Sequence, residues 1–262
     1  MMKHRISNHP GSDSTSFERK IRKGMHISLS RDVVKVLAVI AMTGNHIAHV
    51  FLKPDTLLYE TLIGIGYFTA ITMCFLLVEG YHHTGNLRAY ALRLILFGLT
   101  AQAPYYALFG LPRLNILFTL ALCLGIVHTM NQKHWPELHR YAIILALYIV
   151  SGFFEWGFYI PLCAYFFEKY YDDQKSLCRI YPTLVFTFFI IELTGVISES
   201  TPVSFSIIIS ILLHTIGPAL SALLMLFFYD NSSSGSRHAC KRWFFYIYYP
   251  AHICILLLLS SG

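Results

Sequence analysis

From Arg31 to the C-terminus the sequence is a succession of apolar runs, most of them close to 20 residues long and separated by short polar links. A helix needs about 20 apolar residues to cross a bilayer core, and inside that core only helices and closed barrels satisfy their own backbone groups. The runs fall at about 32–52, 57–79, 88–109, 114–130, 140–152, 156–170, 180–197, 204–228 and 241–260. This pattern predicts an all-α integral membrane protein, a bundle of about nine transmembrane helices over residues 31–262. Eight is the count if 140–170 forms one broken or re-entrant unit. Composition agrees: 55% of residues are hydrophobic and 13% are charged, where a soluble domain is nearer a quarter charged.

The net charge of +6 is not the mark of a nucleic-acid partner. Much of it sits before the first run, in Lys3, Arg5, Arg19, Lys20, Arg22, Lys23 and Arg31. We expect residues 1–30 to be a disordered basic cytosolic tail. With the N-terminus inside, Arg88, Lys133, Arg140, Lys169, Lys175, Arg179, Arg237, Lys241 and Arg242 fall in cytosolic loops, and only Lys53 and Arg113 fall outside. That asymmetry follows the positive-inside rule. It gives a multi-pass protein of a plasma or inner membrane, whose first partner is the lipid bilayer and for which a homodimer is admissible. The six cysteines are scattered without CxxC pairs, so neither a disulfide framework nor a metal is expected. The chain has no GxSxG, P-loop, GxGxxG or HExxH, which argues against serine hydrolases, nucleotide hydrolysis, dinucleotide redox chemistry and zincin proteolysis.

Ionisable groups inside a span are costly and normally face a bundle interior or a wet cavity. The first run carries Lys35, Asn45 and His46. At ~100° and 1.5 Å per residue, Lys35 and His46 share one helix stripe to within about 20° and lie about 16 Å apart. A neutral imidazole in a dry cavity can act as a general base, and the lysine can pair with phosphate of an anionic donor. The bland alternative is a snorkelling lysine and a packing histidine. Glu79, His82 and His83 close the second run, and Arg88 and Arg93 open the third. They make either a charged mouth that receives an anion or an interfacial ion-pair cluster. Asn115 and Thr119 (i, i+4 in the fourth run), Glu155 at a span mouth, and His214 and His252 in the last two runs are further polar candidates. Each is weighed against an ordinary interhelical hydrogen bond worth about 1 kcal/mol. The tyrosines around His252 read as interface anchors.

Four segments together resemble the TraX family, whose founding member is a conjugative-pilin acetylation protein. They are the run Lys35–His46; Phe75-Leu-Leu-Val-Glu-Gly-Tyr-His-His-Thr84 with Tyr90-Ala-Leu-Arg-Leu94; Leu114-Asn-Ile-Leu-Phe-Thr-Leu120; and Lys241–His252, with its Tyr-Pro-x-His ending. The resemblance covers about residues 31–256. It implies a membrane acyltransferase using acetyl-CoA or a similar donor, with His46 activating a hydroxyl or amino acceptor. Asn45 and Glu79 stand beside His46 as catalytic candidates, and Lys35, Arg88, Arg93, His82 and His83 as candidates for holding the donor. The acceptor, whether protein, saccharide or small molecule, is left open.

Two positions depart from the family pattern. An aspartate before the histidine is Asn45 here, and an arginine early in the second span is Tyr67, after Gly66. Loss of a buried anion and a buried cation together costs less than loss of one, so these positions should be neighbours. Two other functions stay open: a transporter with His46, Glu79 and Glu155 lining a path, and a non-catalytic membrane partner that tolerates loss of His46. No internal repeat supports the transporter.

Overall fold

The computed structural model describes residues 28–110, 112–198, 204–230 and 239–261. The expected basic tail lies outside them up to residue 27, as do most of the links around 199–203 and 231–238. The described residues form nine α-helices, with no sheet: α1 (Arg31–Phe51), α2 (Leu57–His83), α3 (Leu87–Phe109), α4 (Ile116–Met130), α5 (Glu137–Val150), α6 (Tyr159–Lys169), α7 (Gln174–Ser198), α8 (Phe205–Leu223) and α9 (Ala239–Ser260). A 3₁₀ turn, Ser151–Phe153, follows α5, and a π-helical turn, Leu224–Phe228, continues α8.

Five of the nine, α1, α2, α7, α8 and α9, are long and apolar enough to cross a membrane. The others narrow the expectation. α3 has the length but carries Arg88 and Arg93. α4, α5 and α6 have 15, 14 and 11 residues, about 22, 21 and 16 Å at 1.5 Å per residue, short of a ~30 Å hydrocarbon core. α5 and α6 are two short helices, linked through the 3₁₀ turn and the residues that follow it.

Local chemistry sets the boundaries. The side chains of Ser30, Thr56, Asn86, Asn115 and Ser204 accept backbone N–H groups in the first turns of α1, α2, α3, α4 and α8, which satisfies donors that a helix start leaves free. Asp173 does the same for α7, and the Ser176 hydroxyl and N–H hold its carboxyl below the usual range. Two expected limits move. α2 does not stop at Glu79-Gly80 but runs on to His83, whose ring bonds back to the Glu79 carbonyl (2.8 Å). Asn115 is the cap of α4, not a position within its span.

α2 is the central helix. It is apolar all round and buries residues on every side, from Glu60 and Ile63 to Glu79 and Gly80, as a helix enclosed by others should. Small residues let its neighbours approach: a methyl on Gly64 would stand 2.1 Å from the Leu213 carbonyl, and one on Gly217 would stand 2.2 Å from the Gly64 carbonyl. α2 and α8 therefore touch backbone to backbone, the close packing typical of membrane helices.

Cross-links define two ends of the bundle. At the near face, where α1 begins, Leu29 pairs with the end of α8 (Leu29 N–H to Phe228 O, 2.8 Å) and Arg31 reaches Glu79 at the end of α2. At the far face, Tyr59 at the start of α2 meets His49 at the end of α1 (3.2 Å).

Candidate functional site

Toward the far face the structure holds a cavity of about 350 Å³, lined by Asn45, His46, Tyr67, Arg113, Glu155, Trp156, Glu192 and Tyr249 among others. α1 supplies His46, and α9 runs beside it: the Tyr248 and Thr43 hydroxyls bond at 2.7 Å, and His46 Nδ1 lies 2.8 Å from His252 Nε2. Both imidazoles are buried, and Phe109 packs on His46.

The hydrogens in this chain can be assigned. His252 Nδ1 lies 2.9 Å from the Tyr248 carbonyl. A carbonyl only accepts, so His252 Nδ1 carries the hydrogen and, in the neutral ring, Nε2 is the acceptor. His46 Nδ1 must then be the donor to it. The lone pair of His46 is left on Nε2, which makes no hydrogen bond among the described residues. A backbone carbonyl thus fixes two tautomers in series.

Glu155 closes the cavity from the turn between α5 and α6. Its N–H bonds to the Leu114 carbonyl (2.7 Å), and its carboxylate accepts from the Ile116 N–H (2.8 Å), with the Tyr105 hydroxyl close by. Burial pushes this carboxyl up to about 7, against the opposing pull of the Ile116 N–H and the Tyr105 hydroxyl. The turn is tight. Trp156 and Phe158 have φ of 59° and 64°, each a strain of about 1–3 kcal/mol for a bulky residue, and a methyl on Gly157 would stand 2.0 Å from the Ser151 carbonyl. Thr119 donates to the Glu155 carbonyl. Asn115 Nδ2 donates to Gly98 O and Gln102 Oε1 (2.8 and 2.9 Å), tying α4 to α3. Asn115 and Thr119 brace the site; they do not line it.

Asn45 donates to the Ile63 carbonyl (3.1 Å) and packs on Gly66, where an added methyl would meet its Cβ at 2.2 Å. Tyr67 follows Gly66 and lines the same cavity, its ring against Trp156 and Phe188. Asn45 and Tyr67 thus line one cavity, Asn45 against the glycine that precedes Tyr67.

The near-face candidates separate into occupied and open groups. Glu79 is not brought to His46. It pairs with Arg31 (3.4 Å) and accepts from the Tyr229 hydroxyl, and Arg31 lies 15 residues before His46, about 22 Å along the helix. His82 pairs with Glu168 (2.9 Å) and stacks on Tyr171, and His83 caps its own helix. Arg88 is exposed. Lys35 and Arg93 differ: neither makes an ion pair among the described residues. Lys35 lies over Phe245, Arg93 lies between Tyr90 and Tyr246, and the buried Arg93 Nε has no hydrogen-bond partner among the described residues. These two cations, on α1 and α3, flank the same turn of α9.

Tyr249, Tyr105, Glu192 and Glu60 escaped the sequence reading. Tyr249 looked like an interface anchor, yet it lines the cavity with a buried hydroxyl that has no partner among the described residues. The only signal for it was its place beside His252. Among the described residues no group of three or more His, Cys, Asp or Glu is arranged to hold a metal.

Comparisons with known proteins place the chain among relatives. A family model described as TraX protein matches residues 30–260. A protein of Dichelobacter nodosus named as probable fimbrial assembly protein FimC, serogroup H1, is 31% identical over 244 residues, covering 88% of this chain and 96% of that one. No solved structure matches. The chain therefore belongs to the TraX family.

Proposed function

We propose that this protein is a membrane acyltransferase that passes an acyl group, acetyl by family precedent, from an acyl-CoA donor to a hydroxyl or amino acceptor. The observation that carries this reading is the Tyr248–His252–His46 hydrogen-bond chain, which leaves an unprotonated imidazole nitrogen on a cavity-lining residue. That is the state a general base needs before it takes a proton from an attacking hydroxyl or amine. Tyr249, with its unpartnered hydroxyl, can donate to negative charge developing on the acyl oxygen, the kind of preorganised donor that lowers such barriers.

Acetyl-CoA fits the near-face cations. Among the described residues Lys35 and Arg93 make no ion pair and the buried Arg93 Nε has no hydrogen-bond partner, so both have charge and donors to spend on phosphates. When bound, the donor supplies an activated carbonyl. The protein's part is to hold the phosphates, orient the acceptor and carry its proton on His46. With the near face on the cytosolic side, the donor arrives from the cytosol and the cavity opens toward the other side. The names of the founding family member and of the Dichelobacter nodosus relative favour a pilus or fimbrial subunit as acceptor.

The test is binding of CoA and slow turnover of acetyl-CoA by detergent-solubilised protein. CoA should raise the unfolding temperature of the wild type and of His46→Ala, but not of Lys35→Ala/Arg93→Ala. Absence of any CoA effect on the wild type would rule the reading out.

A further inference from the structure

Three ionisable side chains from three helices meet at the far face, apart from the His46–His252 chain. His214 of α8 places Nε2 2.8 Å from Glu60 of α2 and Nδ1 2.7 Å from Glu192 of α7. The side chains are 16%, 11% and 25% exposed, so the cluster is largely withdrawn from solvent. Such a cluster is costly to keep in a membrane bundle.

Hydrogen counting says what state it is in. Each N···O contact this short needs one hydrogen between the two atoms. A neutral imidazole supplies one and two carboxylates supply none. The observed arrangement therefore contains one proton more than a neutral histidine with two carboxylates, whether it rides on the ring or on a carboxyl. Without it, one ring nitrogen faces a carboxylate lone pair to lone pair, and that contact must open. We propose that Glu60, His214 and Glu192 form a proton-binding site whose bound proton locks α7 to α2 and α8 at the wall of the cavity.

The surroundings fit this role. α7 packs mainly on α8 and buries little of its length, with Leu177, Tyr181, Leu184 and Phe188 as its buried apolar residues, so its outer end depends on the Glu192 contact. Glu192 also lines the cavity, and Tyr67, another lining residue, sets its ring 5.2 Å from that of His214. Opening the Glu192 contact would move a cavity wall. The other titratable groups around His214 among the described residues are Tyr67, His49 of α1 and Tyr59 of α2, the last two bonded to each other. None of them replaces a carboxylate on either ring nitrogen. The inference does not rest on the acyltransferase reading.

Glutamine makes the test sharp. At Glu60 or Glu192 its amide either donates or accepts, so both His214 contacts survive with a neutral ring and no extra proton. Nitroxides placed at Leu58→Cys and Ile197→Cys, exposed residues near the outer ends of α2 and α7, would report the separation in detergent, with Cys178, Cys240 and Cys254 replaced by serine. The wild type should show one short distance at pH 5, with a longer population growing as pH rises to 9. Glu192→Gln and Glu60→Gln should keep the short distance throughout. A wild-type distance that ignores pH, or glutamine variants that open as the wild type does, would overturn the proposal.

Discussion

The near face and the far face both gather ionisable residues, yet they do different things with them. At the near face Arg31, Glu79 and Tyr229 close on one another, and His82, Glu168 and Asn131 do the same. Within these two groups the carboxylates and rings are taken up by one another, and the result is a staple across helix ends, whereas Lys35 and Arg93 beside them make no ion pair among the described residues. At the far face the chain through Tyr248, His252 and His46 ends on a ring nitrogen that, like the Tyr249 hydroxyl, makes no hydrogen bond among the described residues. Polar density inside a membrane bundle therefore does not mark a site. Unspent hydrogen-bonding capacity beside a cavity does, because a buried unpaired group has a cost that only a ligand can repay.

The contrast breaks most easily at Glu79. Removing it leaves Arg31 unpaired in the bundle, so Glu79→Ala should cost about 3–5 kcal/mol of stability, read as a lower unfolding temperature in detergent. Turnover per folded molecule should stay near wild type. A folded variant without activity would return Glu79 to the catalytic group.

His252 is the next largest effect and falls mainly on turnover. His252→Phe leaves the buried His46 Nδ1–H without its acceptor, a cost of about 1–3 kcal/mol, and should lower turnover on the order of 100-fold, the cost of a misplaced catalytic group. His252→Gln, whose amide oxygen still accepts from His46 Nδ1, should recover most of that loss. Equal losses in both variants would mean that His252 only packs.

Glu155 gives a pH signature. Its carboxyl stands near 7 in the fold against an ordinary value near 4.5. The folded protein thus holds a proton that the unfolded chain has already released, and stability falls as pH rises from about 4.5 to about 7. The loss should be on the order of 2 kcal/mol, seen as a lower unfolding temperature at pH 8 than at pH 5, and Glu155→Gln should flatten it. The smallest effect expected is at Asn115. Asn115→Ala removes a cap and an α3–α4 tie worth about 1 kcal/mol, with a matching small drop in unfolding temperature and unchanged CoA binding.

How much of this the sequence revealed follows from the range of each interaction. All nine helices were legible as apolar runs, because an apolar run is local, although only five of them among the described residues are long and apolar enough to cross a membrane. Lys35, His46 and His252 stood out for a similar reason: each is a polar residue in an apolar run. Their partners did not. Glu79 looked catalytic beside its glycine, but its fate is set by Arg31 and by Tyr229, 150 positions away. Glu60 drew no notice in the sequence, because its partner His214 lies 154 positions further on. Tyr249 passed as an anchor because an unpaired hydroxyl is a fact about packing, invisible in a list of residues.

The most direct test of the central claim is single-turnover consumption of acetyl-CoA by His46→Ala, with and without added imidazole. If His46 Nε2 is the base, the rate falls by about 10²–10⁴-fold and imidazole restores part of it. A His46→Ala protein that turns over at the wild-type rate without imidazole would contradict the account.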